Sequence, residues 1–190
     1  MKKNIVSKKG EIIEFIIALI LILIGIGLRL SPHPPNFSPI AAMALFGGVY
    51  LSKKIALTIP LVVMAISDVF IGHYETNLMI SVYGSFLLCV LLGFWLKKHK
   101  KWQTVIVGSI SGSVIFFALT NFSVWVFTPW YAKTIQGLIQ CYVMALPFLK
   151  NTFLGDLFYV TAFFGIYEVA EIWIRNKFAI KSSIRQPILS

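Results

Sequence analysis

Residues 12–51 of the chain read IIEFIIALILILIGIGLRLSPHPPNFSPIAAMALFGGVYL. The first part, residues 12–30, is an apolar run close to the roughly 20 residues that a membrane-spanning helix needs. Residues 32–39 hold four prolines in eight positions and predict a stiff, extended loop, because proline fixes φ and lacks a backbone donor. Ser38 as a helix cap and Pro39 in the first turn then predict a second helix over residues 40–51. This stretch predicts a helical membrane protein.

The composition of the whole chain agrees with that interpretation. Of its 190 residues, 58% are hydrophobic and 13% are charged, and the mean hydropathy is +0.84. A soluble domain carries about 25% charged residues. A chain of this length holds about six spans with short loops and leaves little room for a soluble catalytic domain. We therefore predict an all-α bundle of six transmembrane helices forming a single membrane domain over residues 1–190, with spans at about 12–30, 40–51, 55–71, 78–96, 102–127 and 152–174.

The segment between the fifth and sixth spans has a different pattern. Apolar residues over about 134–146 recur with the spacing of one helix face, but the segment is short and polar for a span. It predicts an interfacial or re-entrant helix that ends at Pro147. Pairs of small residues four apart, Ala44 with Gly48 and Gly108 with Gly112, predict places where two helices approach closely.

The basic residues predict the orientation in the membrane. With six spans and a cytoplasmic N-terminus, 14 of the 17 lysines and arginines fall on the cytoplasmic side, as the positive-inside rule requires. These 14 are Lys2, Lys3, Lys8, Lys9, Lys53, Lys54, Lys97, Lys98, Lys100, Lys101, Arg175, Lys177, Lys181 and Arg185. The sequence thus predicts a multi-pass protein of the cell (inner, cytoplasmic) membrane with both termini inside. Short basic clusters between apolar runs are topology signals, so we expect the lipid bilayer and not nucleic acid as the partner of these charges.

Polar residues at membrane depth predict a binding site. Ionisable and amide groups inside a bilayer are costly and usually face a bundle interior or a cavity. Several lie towards the outer ends of different spans or in the proline-rich loop, and two aromatic residues add walls with polar tips. The predicted substrate-binding residues are Asn36, Asp68, Tyr83, Asn121, Trp125 and Asp156.

Each of these residues also has a structural interpretation. Asp156, near the predicted start of the sixth span, can complement the helix dipole with Asn151 as the cap. Asn121 can bridge two helices. Asp68 lies near a helix C-terminus, where the dipole disfavours a carboxylate, so it needs a partner or a ligand.

The sequence contains no enzyme or cofactor signature. Gly108 to Gly112 resembles a nucleophile elbow, but its central residue is Ile110, and no histidine lies within a span to act as a base. There is no phosphate-binding glycine loop, and the two cysteines are too few for a cysteine-based metal site. We therefore expect no enzyme activity, no cofactor and no metal site.

Several motifs resemble those of a family of uncharacterised bacterial integral membrane proteins, a domain-of-unknown-function family. They are residues 29–42 (RLSPHPPNFSPIAA), Ser67-Asp68, Tyr83-Gly84, Thr120-Asn121-Phe122, Cys141-Tyr142, Ala145-Leu146-Pro147-Phe148 and residues 151–156 (NTFLGD). That family in turn resembles the S components of energy-coupling factor transporters, which are six-span binders of vitamins and micronutrients.

The resemblance implies that a small polar solute binds near the outer face for uptake. It also implies a shared partner module, made of a coupling protein and ATPases, because S components have no ATPase of their own. Two other functions remain open: a structural or assembly protein of the membrane without a ligand, and a stand-alone carrier.

Overall fold

The computed structural model describes the backbone of residues 2–184 and the side chains of residues 11–173. All regular elements in that range are α-helices: α1 (Lys2–Leu30), α2 (Ile40–Tyr50), α3 (Lys53–Ile71), α4 (Thr76–Leu96), α5 (Trp102–Phe127) and α6 (Ile135–Ile184). Five of the six are long and apolar enough to cross a membrane; α2 is shorter. The predicted all-helical class is confirmed.

The short helix α2 forms the centre of the bundle. Every residue of α2 except Tyr50 is buried, and α2 packs most extensively against α4, then α3 and α6. Its 11 residues rise about 16 Å, roughly half of the 30 Å hydrocarbon core. A helix that is apolar on all sides is stable only inside a bundle or a membrane.

The other five helices follow one another around α2. Pairs α1–α3, α3–α4, α4–α5 and α5–α6 are in contact. The loops of residues 31–39, 72–75 and 128–134 lie at one end, which we call the proline-rich end. Residues 51–52 and 97–101 lie at the other, the lysine-rich end. There the Tyr50 hydroxyl donates to Glu168 of α6 (2.5 Å), and Lys100 pairs with the same carboxylate.

The predicted end of a helix at Pro147 is wrong. Residues 135–184 form one continuous helix of 50 residues, about 75 Å long, with Pro147 inside it. Proline removes one backbone hydrogen bond, but apolar surroundings strongly favour keeping all the others, so helices in such surroundings tolerate it. The interfacial helix at 134–146 and the sixth span at 152–174 are therefore parts of the same element. The C-terminal basic residues Arg175, Lys177, Lys181 and Arg185 lie outside the described side chains.

Candidate functional site

A cavity of about 440 Å³ opens at the proline-rich end. This is within the range of small-molecule sites. Its lining combines an apolar body with a few polar groups, as such sites usually do. The lining residues are Arg29, His33, Asn36, Ser38, Ala41, Met64, Ile71, Tyr74, Val82, Phe86, Phe116, Thr152 and Asp156.

The proline-rich loop forms one side of this cavity and is fixed against α6. The Phe37 amide donates to the Pro34 carbonyl (3.0 Å), and Asn36 has a φ of 64°. Proline followed by a residue with positive φ is the pattern of a type II turn, and asparagine tolerates that conformation better than most residues. The Asn151 amide donates to the Pro35 carbonyl (3.0 Å). The loop also passes so near Gly155 that a Cβ there would lie 3.1 Å from the Phe37 Cα.

Asp156 lies deep in the cavity. The residue is 3% exposed, and its Oδ2 accepts a hydrogen bond from the Ser113 hydroxyl of α5 (2.5 Å). Because α6 begins at Ile135, Asp156 sits 21 residues into the helix, and Asn151 is within the helix as well. The expected cap at Asn151 and the interaction of Asp156 with a helix N-terminus are therefore wrong. The helix dipole does not account for this carboxylate.

Asp68 has protein partners on two sides. Its Oδ1 pairs with the Arg29 guanidinium of α1 (2.7 Å), and its Oδ2 accepts a hydrogen bond from the Tyr83 hydroxyl of α4 (2.9 Å). The other terminal nitrogen of Arg29 contacts the Met64 sulfur. Asp68 is buried, and charged groups in such surroundings are stable only when paired. This cluster of Arg29, Asp68 and Tyr83 joins three helices beside the cavity, and Arg29 belongs to the lining.

Aromatic rings close the cavity on the α4–α5 side and at its mouth. Phe86 and Phe116 stack with their centroids 5.3 Å apart and their planes 25° apart. Tyr74 lies in the loop between α3 and α4. Burial, with a smaller contribution from the Asp68 charge, raises the pKa of the Tyr74 hydroxyl to about 12, so this group is a neutral donor at physiological pH.

The structure brings only part of the predicted site together. Asn36 and Asp156 line the cavity, and Asp68 and Tyr83 adjoin it through Arg29. Asn121 instead donates to the Phe117 carbonyl of its own helix (2.8 Å). Trp125 donates to the Ala132 carbonyl (2.9 Å) in the α5–α6 connection. Neither lines the cavity.

Sequence reasoning did not identify the partners of the two carboxylates. Arg29 could have been identified: it is the basic residue nearest the proline-rich loop, and a partly buried cation near the level of Asp68 needs an anion. Ser113 could not, because serine is common in membrane helices and usually bonds its own backbone. In the described part of the chain, no three His, Cys, Asp or Glu residues are arranged to hold a metal ion.

Residues 10–179 of the chain match DUF6580, a family of unknown function. The match covers most of the chain, so the chain belongs to this family. We find no match among curated proteins or among solved structures. The expected membership of an uncharacterised family is confirmed, and the likeness to energy-coupling factor S components stays a prediction.

Proposed function

We propose that this member of the DUF6580 family binds a small polar solute of the vitamin or micronutrient class in the cavity at the proline-rich end and takes part in its uptake. The observation that carries the proposal is Asp156, a carboxylate deep in a cavity of about 440 Å³ with a single hydrogen-bond partner among the described residues. A buried ionisable group in a membrane segment is costly and usually serves a ligand or ion.

The proposed direction of uptake rests on charge. The lysine-rich end carries Lys53 and Lys54 at the start of α3 and four lysines within residues 97–101. Cytoplasmic loops are enriched in basic residues, so we place this end in the cytoplasm and the cavity on the outer side of the cell membrane.

The site favours binding over catalysis. Both ring nitrogens of His33 lie within hydrogen-bond distance of backbone carbonyl oxygens, those of Pro34 (2.9 Å) and Arg29 (3.2 Å). A general base needs a ring nitrogen directed at the reacting group. We therefore propose a protein without enzyme activity. Its sequence has no phosphate-binding loop, so active uptake would need a coupling protein and ATPase module, while a stand-alone carrier would use an ion or solute gradient.

A structural or assembly role is the second candidate, and the cluster of Arg29, Asp68 and Tyr83 favours it. These groups satisfy one another across three helices, which is what a purely structural polar network does. The two candidates differ at the cavity, because a structural protein has no need to bind anything there.

A variant that fills the cavity distinguishes a binding function from a structural one. Val82 of α4 lines it, whereas Val114 of α5 is 47% exposed on the outside of the bundle. Parent protein, Val82→Trp and Val114→Trp would each be purified from native membranes and analysed by mass spectrometry for small molecules and partner proteins. We expect a small molecule with the parent and Val114→Trp, and its loss from Val82→Trp. If no variant retains one, or if all three retain it equally, the proposed binding site is wrong.

A further inference from the structure

The electrostatic balance of the cavity points to the chemistry of its ligand. Among the described residues, Asp156 and Arg29 line the cavity, and Asp68 adjoins it through Arg29. The Arg29 guanidinium is 2.7 Å from Asp68, and these two charges neutralise each other. Neither ion pair found among the described side chains involves Asp156.

The surroundings of Asp156 leave most of its hydrogen-bonding capacity unused. A carboxylate accepts up to about four hydrogen bonds, and the described residues supply one, from Ser113. Asp156 is 3% exposed and lines the cavity. A buried, unpaired charge is strongly unfavourable, whereas a paired one is tolerated. A buried carboxyl without a cation takes up a proton and stays neutral, so the ionised form of Asp156 needs a partner that carries positive charge and hydrogen-bond donors.

The wall formed by α4 and α5 complements a cation as well. Phe86 and Phe116 present a stacked aromatic pair, and Met64 and Val82 extend the apolar surface. A ring face attracts a cation that lies within about 6 Å of its centroid, and it also packs against a flat apolar body. Among the described lining residues, the one cationic side chain that an anionic ligand could pair with is Arg29, whose charge Asp68 already balances.

We propose that the ligand of this cavity is a small organic monocation, a protonated amine or a nitrogen heterocycle with an aromatic or apolar ring. Its charged nitrogen pairs with Asp156, and its ring packs against Phe86 and Phe116. This inference rests on the proposed function and specifies its substrate class.

Three probes of nearly equal size test the charge preference: 2-phenylethylammonium, 2-phenylethanol and phenylacetate. Calorimetry on the purified full-length protein should give binding of the cation at least about tenfold tighter than that of the alcohol, and no binding of the carboxylate. Asp156→Asn preserves the shape of the side chain and should remove the advantage of the cation. Glu168→Gln, which removes a carboxylate at the lysine-rich end, is the matched control and should keep it.

A second variant keeps the proposal testable if Asp156→Asn fails to fold. Phe116→Leu keeps an apolar side chain of similar size but removes the aromatic face. It should therefore weaken the binding of the cation more than the binding of the alcohol. If cation and alcohol bind equally to the parent, the charge preference is wrong while solute binding stands. If no probe of any charge binds and the parent also retains no small molecule from native membranes, both proposals are wrong.

Discussion

Asp68 and Asp156 are both carboxylates buried near the proline-rich end, yet their hydrogen-bond partners differ. Asp68 receives a guanidinium and a phenol hydroxyl from two other helices. Asp156 receives one serine hydroxyl and faces the cavity. Asp68 has donors from two other helices and so links three helices, whereas Asp156 has one donor and can accept further hydrogen bonds from a ligand.

The first prediction concerns the stability that Asp68 provides. Asp68→Asn leaves the Arg29 guanidinium, 15% exposed, without its anion, and we expect a loss of roughly 3 kcal/mol in the free energy of unfolding. Tyr83→Phe removes one hydrogen bond to the same carboxylate and should cost about 1 kcal/mol. Equilibrium unfolding in detergent micelles measures both changes.

The double variant Arg29→Gln with Asp68→Asn is the control for this prediction. Glutamine and asparagine can bond to each other without a charge, so most of the loss should be recovered. If Asp68→Asn is no less stable than Tyr83→Phe, or if the double variant is less stable than Asp68→Asn, the ion pair does not stabilise the bundle.

The sequence predicts that Asp68 needs a partner but does not identify which residue that partner is. The position of Asp68 near a helix C-terminus was enough to predict that it needs a partner. The partner, Arg29, lies 39 residues earlier in the chain, and only the packing of α1 against α3 brings the two together. For Asn121 the sequence predicts a place in the binding site, but its amide donates to a carbonyl of its own helix.

At the level of the helices, the contact between α2 and α4 depends on two glycines. A Cβ at Gly48 would lie 2.4 Å from the Val90 carbonyl oxygen, and one at Gly93 would lie 2.5 Å from the Leu45 carbonyl oxygen. Both obstacles are backbone atoms, which cannot rotate away. The pair Ala44 and Gly48 indicated a close approach from sequence, but the partner glycine on α4 has no comparable motif.

The second prediction follows from that contact. Gly48→Ala and Gly93→Ala should each push α2 away from α4 and lower stability by at least about 1–3 kcal/mol, the usual cost of overpacking a core. Gly84→Ala, in the same helix as Gly93, is the matched control: nothing lies within 4 Å of its Cβ position. It should be neutral or raise stability by up to about 1 kcal/mol, because alanine favours the helix. Thermal unfolding of the three variants measures these changes in stability. Equal effects in all three would contradict the close packing.

The sequence predicts the helix boundaries where loops separate the helices. It does not predict them where packing determines whether a helix continues. The predicted span 102–127 coincides with α5. The proline-rich loop marks the end of α1 and the start of α2, and the lysines of residues 97–101 mark the end of α4. Pro147 was misread because local propensity favours a break, whereas packing against α5 keeps the helix continuous: Tyr142 donates to the Ala118 carbonyl (2.6 Å) on one side of it and Ser113 donates to Asp156 on the other.

At the level of the whole molecule, the contacts at the lysine-rich end connect elements far apart in sequence. Glu14 of α1 accepts a hydrogen bond from the Ser52 amide (3.3 Å), and Lys100 pairs with Glu168 of α6 (2.5 Å). The start of the apolar part of α1 and the later part of α6 therefore lie at the same end of the bundle, opposite the cavity. If that end is cytoplasmic, the cavity faces the outside.

The third prediction is this orientation. Lysine clusters are retained on the cytoplasmic side during insertion, so reporter fusions after His99 and after Ile180 should both report the cytoplasm, and a fusion near Lys133 should report the outside. A cytoplasmic signal near Lys133 together with an outside signal after His99 would turn the cavity towards the cytoplasm. The cation could still bind to Asp156 in that case, but the protein would take its ligand from inside the cell, and the proposal of uptake would be wrong. An outside signal after Ile180 alone would mean that α6 does not return to the side of Lys100, which the pairing of Lys100 with Glu168 opposes.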